Sequence, residues 1–359
     1  MTAGDLRILV INPGSTSTKV AVFYGREEVH RQTIEHPADD LARFAHVAEQ
    51  FDLRLQGIEA WLESLPAADL AFDAIAGRGA PLKPLEGGTY IITETMLNDI
   101  RTSKYSNHAS NLGALLADHF ARTYRIPAYI TDPITVDNFP DIARVSGVPG
   151  IARKCRSHVL NIKAVGWTEA TKLGKKLTDV NFIVAHMGGG ISIAALAGGL
   201  IVEVNDALLG MGPFSPERAG ALPIGALVDL CYSGTYTREE MIALLSYKSG
   251  LAGYLGEGDL RKVEEKIVNG DQKAAIIYEA MCYQIAKEIG AAAAALKGRV
   301  DGIILTGGMA NSKRLTDTVT EYVRFIAPVA VIPGEHEMKS LAEGAIRALT
   351  GVETAKVYA

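Results

Sequence analysis

Cysteine is scarce in this 359-residue chain, and the three present, Cys155, Cys231 and Cys282, are far apart and odd in number. That pattern argues against a disulfide framework or a zinc site and fits a reducing compartment, so a cytoplasmic location is expected. Basic clusters are missing too. Lys and Arg number 36 against 41 Asp and Glu, a formal charge of −5, and no basic run stands out. This excludes nucleic acid and anionic membrane as expected partners, since both need grouped cations. The two commonest nucleotide signatures are also absent: there is no GxxxxGK[ST], and no GxGxxG opens a helix after a strand. The opening MTAGDLRILV meets its acidic residue before any apolar stretch long enough for a signal peptide. One run, FIVAHMGGGISIAALAGGLIV at 182–202, is uncharged for 21 residues, a membrane-spanning length. Its five glycines, one histidine and one serine, among small and β-branched residues, make it read instead as two buried strands around a glycine-rich turn.

The chain exceeds the size of a comfortable single core, so two domains are expected. Its 48% hydrophobic and 21% charged residues are ordinary for a globular protein. Strand-like runs fall at 7–11, 19–23, 74–76, 90–92, 128–130, 181–185, 191–196, 200–204, 302–305 and 329–332. Helical periodicity marks 40–64, 107–124, 161–174, 221–232, 237–246, 259–268, 271–297, 311–325 and 338–350. The alternation indicates a layered α/β protein.

A repeat sharpens this reading. ILVINPGSTSTKVAV (8–22) aligns with FIVAHMGGGISIAAL (182–196), both strand, polar residue, glycine turn, strand, with Gly14 matching Gly188. A third glycine turn, ILTGGMANS (304–312), follows another strand and leads into a helix. The architecture suggested is two similar domains facing each other across a cleft, one formed by 1–160 with 338–359 and the other by 161–337. Glycine turns let a ligand approach the backbone amides closely, and successive amides with hydroxyls make anion sites. Asn12, Gly14, Ser15, Thr16, Ser17 and Lys19 form one candidate phosphate grip. His186 with Gly188, Gly189 and Gly190 forms a second, and Gly307, Gly308 and Asn311 a third.

With these blocks in view, the chain resembles the acetate/butyrate kinase family of the actin, Hsp70 and sugar-kinase superfamily. NPGSTSTK looks like that family's first signature and AHMGGGISIAAL like its histidine–glycine signature. The Pro-Gly-Ser-Thr version, the short chain and the blocks AGRGAPLKPLEGG, NHASNLGALLA, DPITVD, FSPERAG and LTGGMANS resemble the butyrate-kinase members. The resemblance implies two actin-like (ribonuclease-H-like) domains around a nucleotide cleft. It further implies Mg²⁺-dependent transfer of a phosphoryl group from ATP to a short-chain fatty acid, butyrate or isobutyrate, giving an acyl phosphate. The family forms dimers and larger assemblies, so a homo-oligomer is expected.

A carboxylate is already an anion at neutral pH, so this chemistry needs no general base; it needs charge neutralisation and positioning. By the resemblance, Arg78 faces the carboxylate and Arg218 the transferring phosphoryl group. Asp132 is the catalytic aspartate beside Mg²⁺, with Asp137 nearby and more structural. His186 and His108 would contact phosphate oxygens, and Glu337 lies on the metal side, with Glu335 two positions away as the alternative. The remaining histidines, at 30, 36, 46, 119, 158 and 336, read as surface or packing residues. Where acetate kinases carry acidic residues after the Arg218 position, this chain has the apolar AGALPIG, which suits a roomier acyl pocket.

Overall fold

A computed structural model describes residues 3–207 and 209–359. Among these, twelve strands occur: β1 (Arg7–Pro13), β2 (Ser17–Tyr24), β3 (Glu27–Glu35), β4 (Ala74–Arg78), β5 (Thr89–Ile91), β6 (Ala128–Thr131), β7 (Asn181–Met187), β8 (Ile191–Ala197), β9 (Leu200–Val204), β10 (Gly302–Gly307), β11 (Val329–Pro333) and β12 (Lys356–Val357). The chain divides into two compact units. One runs to Asp137 and resumes over His336–Ala359; the other is Asn138–Glu335. The first crossing thus falls before Asn138 rather than after residue 160. Arg153, in the intervening stretch, packs within the second unit by a forked ion pair to Glu203 on β9.

The first unit holds a seven-stranded sheet of order β12-β5-β6-β4-β1-β2-β3, the second a five-stranded sheet of order β11-β10-β7-β8-β9. In the first, β1 pairs antiparallel with β2 and parallel with β4, β2 pairs antiparallel with β3, and β4 parallel with β6. The second repeats this pattern strand for strand: β7 lies antiparallel to β8 and parallel to β10, β8 antiparallel to β9, and β10 parallel to β11. The repeat read from two short glycine turns is therefore a repeat of whole sheets.

Local sequence explains the strands. The four aliphatic residues Ile8–Ile11 are buried on both faces, as a central strand flanked by parallel and antiparallel neighbours requires. The uncharged run 182–202 contributes β7, β8 and the start of β9, and no described helix is long and apolar enough to cross a membrane. In the first unit, Leu9, Ile11, Val20, Val22 and Ile75 pack against Ile58 of the helix Phe51–Glu63 and Leu112 and Leu116 of the helix Asn111–Tyr124. In the second, Ile183, Ile193, Ile303 and Leu305 meet Met281, Ile285 and Ile289 of the helix Gln272–Ala295.

Some expected elements change. The periodicity over 40–64 is not one helix. Ala38–Leu41 and Phe51–Glu63 are separate, joined through a 3₁₀ turn at Val47–Gln50, where the Glu49 carboxylate accepts from the amides of Ala45 and His46. The strand β3 was not expected at all. It is a sheet edge whose residues are exposed or half-buried throughout, so EEVHRQTIE shows no apolar alternation.

Candidate active site

In the first unit, the turn between β1 and β2 presents the first candidate grip. Asn12 and Lys19 are directly opposed in register and share one face of the sheet; Pro13 and Thr18 form the next pair, on the other face. Ser15, Thr16 and Lys19 are exposed, while Asn12 is buried. Gly14 keeps an ordinary backbone conformation, and a side chain there would meet only normal contacts, so the glycine is not demanded by φ. What shapes the turn is Arg54, a residue the sequence did not single out. Its fully buried guanidinium donates to the carbonyls of Gly14 (2.9 Å), Ser15 (3.1 Å) and Ser17 (3.1 Å) and to the Thr18 hydroxyl (3.0 Å). Burial lowers the Arg54 pKa to about 10.

Arg78 ends β4. Its Nη1 donates to Oε1 of Glu337 at 2.6 Å, and Nδ2 of Asn12 donates to Oε2 of the same carboxylate at 2.9 Å. Arg78 thus already holds a carboxylate. Asp132 follows β6 and is buried in the left-handed region, φ +42°, a strained conformation for a residue with a Cβ. It is fastened by Gly88, whose amide donates to Oδ1 (2.7 Å) and whose carbonyl accepts from the Asp132 amide (3.0 Å). Mg²⁺ keeps several waters and takes one or two protein carboxylates, and a single buried, positioned aspartate fits that donor set. Both Glu337 oxygens are already engaged, by Arg78 and by Asn12. No group of three metal-ligating side chains occurs among the described residues.

His108 precedes the helix Asn111–Tyr124. The Ser110 amide donates to its Nδ1 (3.2 Å), and an amide can only donate, so the neutral ring carries its proton on Nε2. Although the residue keeps an exposed side, desolvation of the ring, followed by the Arg78 charge, holds its pKa below the ordinary value. His108 is therefore a neutral donor at pH 7. Asp137 closes this unit with its amide on the Leu85 carbonyl (2.8 Å).

The second unit gathers the other candidates. Gly188, Gly189, Gly308, Asn311 and Glu335 line one cavity of about 940 Å³. Gly189 and Gly308 face open space, so these two positions leave room for a ligand. Gly307 and Gly190 are more closely packed. Gly307 sits at φ +88° where a Cβ would overlap the Met187 backbone, and a Cβ on Gly190 would enter the Arg218 guanidinium. Arg218 is further held by the Ala207 carbonyl, which accepts from Nη1, and by its own amide donating to Ser215 Oγ (3.2 Å).

His186, at the end of β7, is 1% exposed. Asn161 donates through Nδ2 to the Gly334 carbonyl (3.3 Å), which turns its Oδ1 toward His186 Nδ1 (2.9 Å). An amide oxygen accepts only, so Nδ1 carries the proton. The buried Nε2 makes no hydrogen bond and stands 3.6 Å from the Glu335 carboxylate. Neutral His186 is thus an acceptor at Nε2 and donates there only as imidazolium. Its ring stacks on His158 (centroids 3.9 Å), which was expected to be a packing residue; His158 Nδ1 lies 2.9 Å from Ser192 Oγ. The alternatives Glu335 and Glu337 have different surroundings, the one beside His186 and the other between Arg78 and Asn12.

A doubled sheet of this order, with glycine turns at corresponding strand ends, defines an actin-like fold. Among solved structures, the acetate kinase of Porphyromonas gingivalis matches with a TM-score of 0.77 at 20% identity, over 96% of this chain and 100% of that one. A propionate kinase from Francisella tularensis subsp. tularensis matches with a TM-score of 0.70 at 18% identity, over 94% and 98%. Residues 150–345 match the acetokinase family model. A relative from Caldanaerobacter subterraneus subsp. tengcongensis, named probable butyrate kinase 2, is 49% identical over 352 residues, 98% of this chain and 99% of that protein. The chain belongs to the acetokinase family.

Proposed function

We propose that this protein transfers the γ-phosphoryl group of ATP to the carboxylate of a short-chain fatty acid, butyrate or isobutyrate, reversibly forming an acyl phosphate and ADP. The observation that carries the reading is the 49% identity, end to end, with a relative named as a butyrate kinase. A carboxylate oxygen attacks the γ-phosphorus as the bond to the bridging oxygen breaks, and ADP leaves with that oxygen. Arg78 would exchange Glu337 for the substrate carboxylate, and Arg218 would neutralise the transferring group. His108 would donate from Nε2. The serine–threonine turn and the open glycines at 189 and 308 would hold phosphates. Mg²⁺, beside Asp132, supplies positive charge to the nucleotide's phosphates when bound.

The second unit also holds a cavity of a size to take an acyl chain. Arg218 lines this largely apolar cavity of about 650 Å³, whose wall includes Ala219, Gly220, Ala221, Leu222 and Ile224 of the AGALPIG block. Arg218, Asp206, Asn205 and Ser215 give this cavity a polar side, and Ile191, Leu209, Leu222, Ile224 and Leu227 an apolar one, a mix that suits an amphiphilic acid larger than acetate. A cytoplasmic location is part of the proposal, supported by three dispersed cysteines that make no disulfide framework. A homo-oligomer is part of the proposal, supported by the helix Ile224–Tyr232, which is largely apolar and has no buried residue. The test is acyl phosphate trapped with hydroxylamine from ATP, Mg²⁺ and acetate, propionate, butyrate, isobutyrate or valerate. Turnover of butyrate or isobutyrate well above acetate is expected. ATP hydrolysis without acyl phosphate from any acid would replace the reading with an actin-like ATPase.

A further inference from the structure

Arg54 presents an electrostatic anomaly. Its side chain is fully buried, yet no described carboxylate lies within ion-pair distance of it. Its acceptors are all neutral: three backbone carbonyls, the Thr18 hydroxyl and Gln50 Oε1, which takes both Nε (3.2 Å) and Nη2 (2.9 Å). Buried charges are ordinarily paired, because desolvation is costly without a counter-ion. Three features say where the missing counter-charge belongs.

The guanidinium first fixes the direction of the turn's peptides. In a planar trans peptide the N–H points opposite to the C=O of the preceding residue. Arg54 draws the Gly14 and Ser15 carbonyls toward itself, so the amides of Ser15 and Thr16 point away from it. The Thr16 carbonyl is likewise taken, by the His36 amide at 2.8 Å. Secondly, Arg54 sits on the Thr18 side of the sheet, whereas Asn12 and Lys19 project from the other face. Thirdly, Ser15 and Thr16 are exposed, so the outward amides and hydroxyls are reachable. A positive charge under a ring of inward carbonyls, with donors and a lysine above, is a built anion cradle whose anion comes from outside the chain.

We propose that Arg54 is a positioning residue for the nucleotide: it turns the amides of residues 15 and 16 outward, and its unpaired charge is balanced by a phosphate group of the bound nucleotide. This rests on the ATP-dependent reading above. It separates from mere structural support of the turn, because a protein carboxylate could satisfy Arg54 structurally while cancelling its charge.

Gln50→Glu makes that exchange. Gln50 already accepts twice from Arg54, so a glutamate there keeps the contact and supplies an internal counter-ion. Calorimetric titration with MgADP, together with steady-state KM for ATP and for butyrate, is the readout. Expected is a thermal midpoint equal to or above wild type, with MgADP affinity and ATP KM each worsened by about tenfold, the scale of one charge acting across a turn at an effective dielectric near 20. The butyrate KM should stay within about twofold. Arg54→Lys keeps the charge but loses the fork; it should worsen ATP KM about fivefold or more with butyrate KM again unchanged, and it decides the matter should Gln50→Glu not fold. MgADP binding within about twofold of wild type in the folded variant overturns the inference while leaving the reaction intact. Wild-type protein that binds no nucleotide overturns both.

Discussion

Gly113→Ala links packing to the site in a single methyl group. Gly113 is the third residue of the helix Asn111–Tyr124, where it crosses β4 at Arg78. A Cβ there would stand 2.5 Å from the Arg78 carbonyl oxygen and 2.8 Å from its nitrogen, whereas ordinary contact begins at 3.4 Å. The shortfall is about 0.9 Å, and the obstructing atoms are strand backbone, which no rotamer change relieves. On the other side of the crossing, Gly77 meets the Gly113 backbone equally closely, so neither partner has slack. Overpacking of this kind costs about 1–3 kcal/mol, and two rigid backbones place it at the upper end. Alanine returns about 1 kcal/mol in helix propensity. The net loss is about 2 kcal/mol, or roughly 4–8 °C in thermal midpoint for units of this size. Because the displaced atoms are those of Arg78, the acid KM should rise about tenfold while ATP KM holds. Calorimetry and steady-state kinetics on the same preparation test both. A midpoint at or above wild type with unchanged acid KM would refute the packing argument, since propensity alone would then have prevailed.

Acid sensitivity follows from two histidines. His36, buried and hydrogen-bonded to Thr18, has its pKa lowered by burial and then by the Arg54 charge, and that of His108 is lowered by burial and then by Arg78. The unfolded chain therefore binds these protons first, so stability declines as pH falls below about 6.5, the ordinary histidine value; His36→Asn should flatten that decline in pH-dependent melting. Chain-length choice should respond to the apolar cavity: Ala221→Leu fills part of it, and butyrate kcat/KM should drop by about tenfold or more while acetate is spared, measured by hydroxylamine trapping.

Much of the fold was legible because aliphatic runs and glycines are local signals. β1, β2, β7 and β8 announce themselves as buried runs on either side of a turn, and their spacing exposes the duplication. β3 is silent because an edge strand with neither face buried carries no period-two pattern. The candidate residues Arg78, Asp132, His186 and Arg218 each lie at a strand end or in a glycine-flanked turn, and the resemblance supplied their numbers. What sequence could not show were the partnerships. Glu337 meets Arg78 from 259 positions away, and Asn161 fixes the His186 tautomer across 25. Arg54 looks like any solvated helix arginine until the turn it supports, some 40 residues earlier, folds onto it. The glycines differ in a way sequence cannot show: the Cβ space of Gly190 and Gly307 is filled by Arg218 and Met187, whereas Gly189 and Gly308 face open space.

The central claim is a phosphoryl transfer to a carboxylate held by arginine. The most direct measurement is hydroxylamine-trapped acyl phosphate from ATP, Mg²⁺ and butyrate, comparing wild type with Arg78→Ala and Arg218→Ala. Robust wild-type product, reduced about 10²-fold or more in each variant that still melts cooperatively, is the predicted result. Wild-type product that survives loss of either arginine would contradict the account.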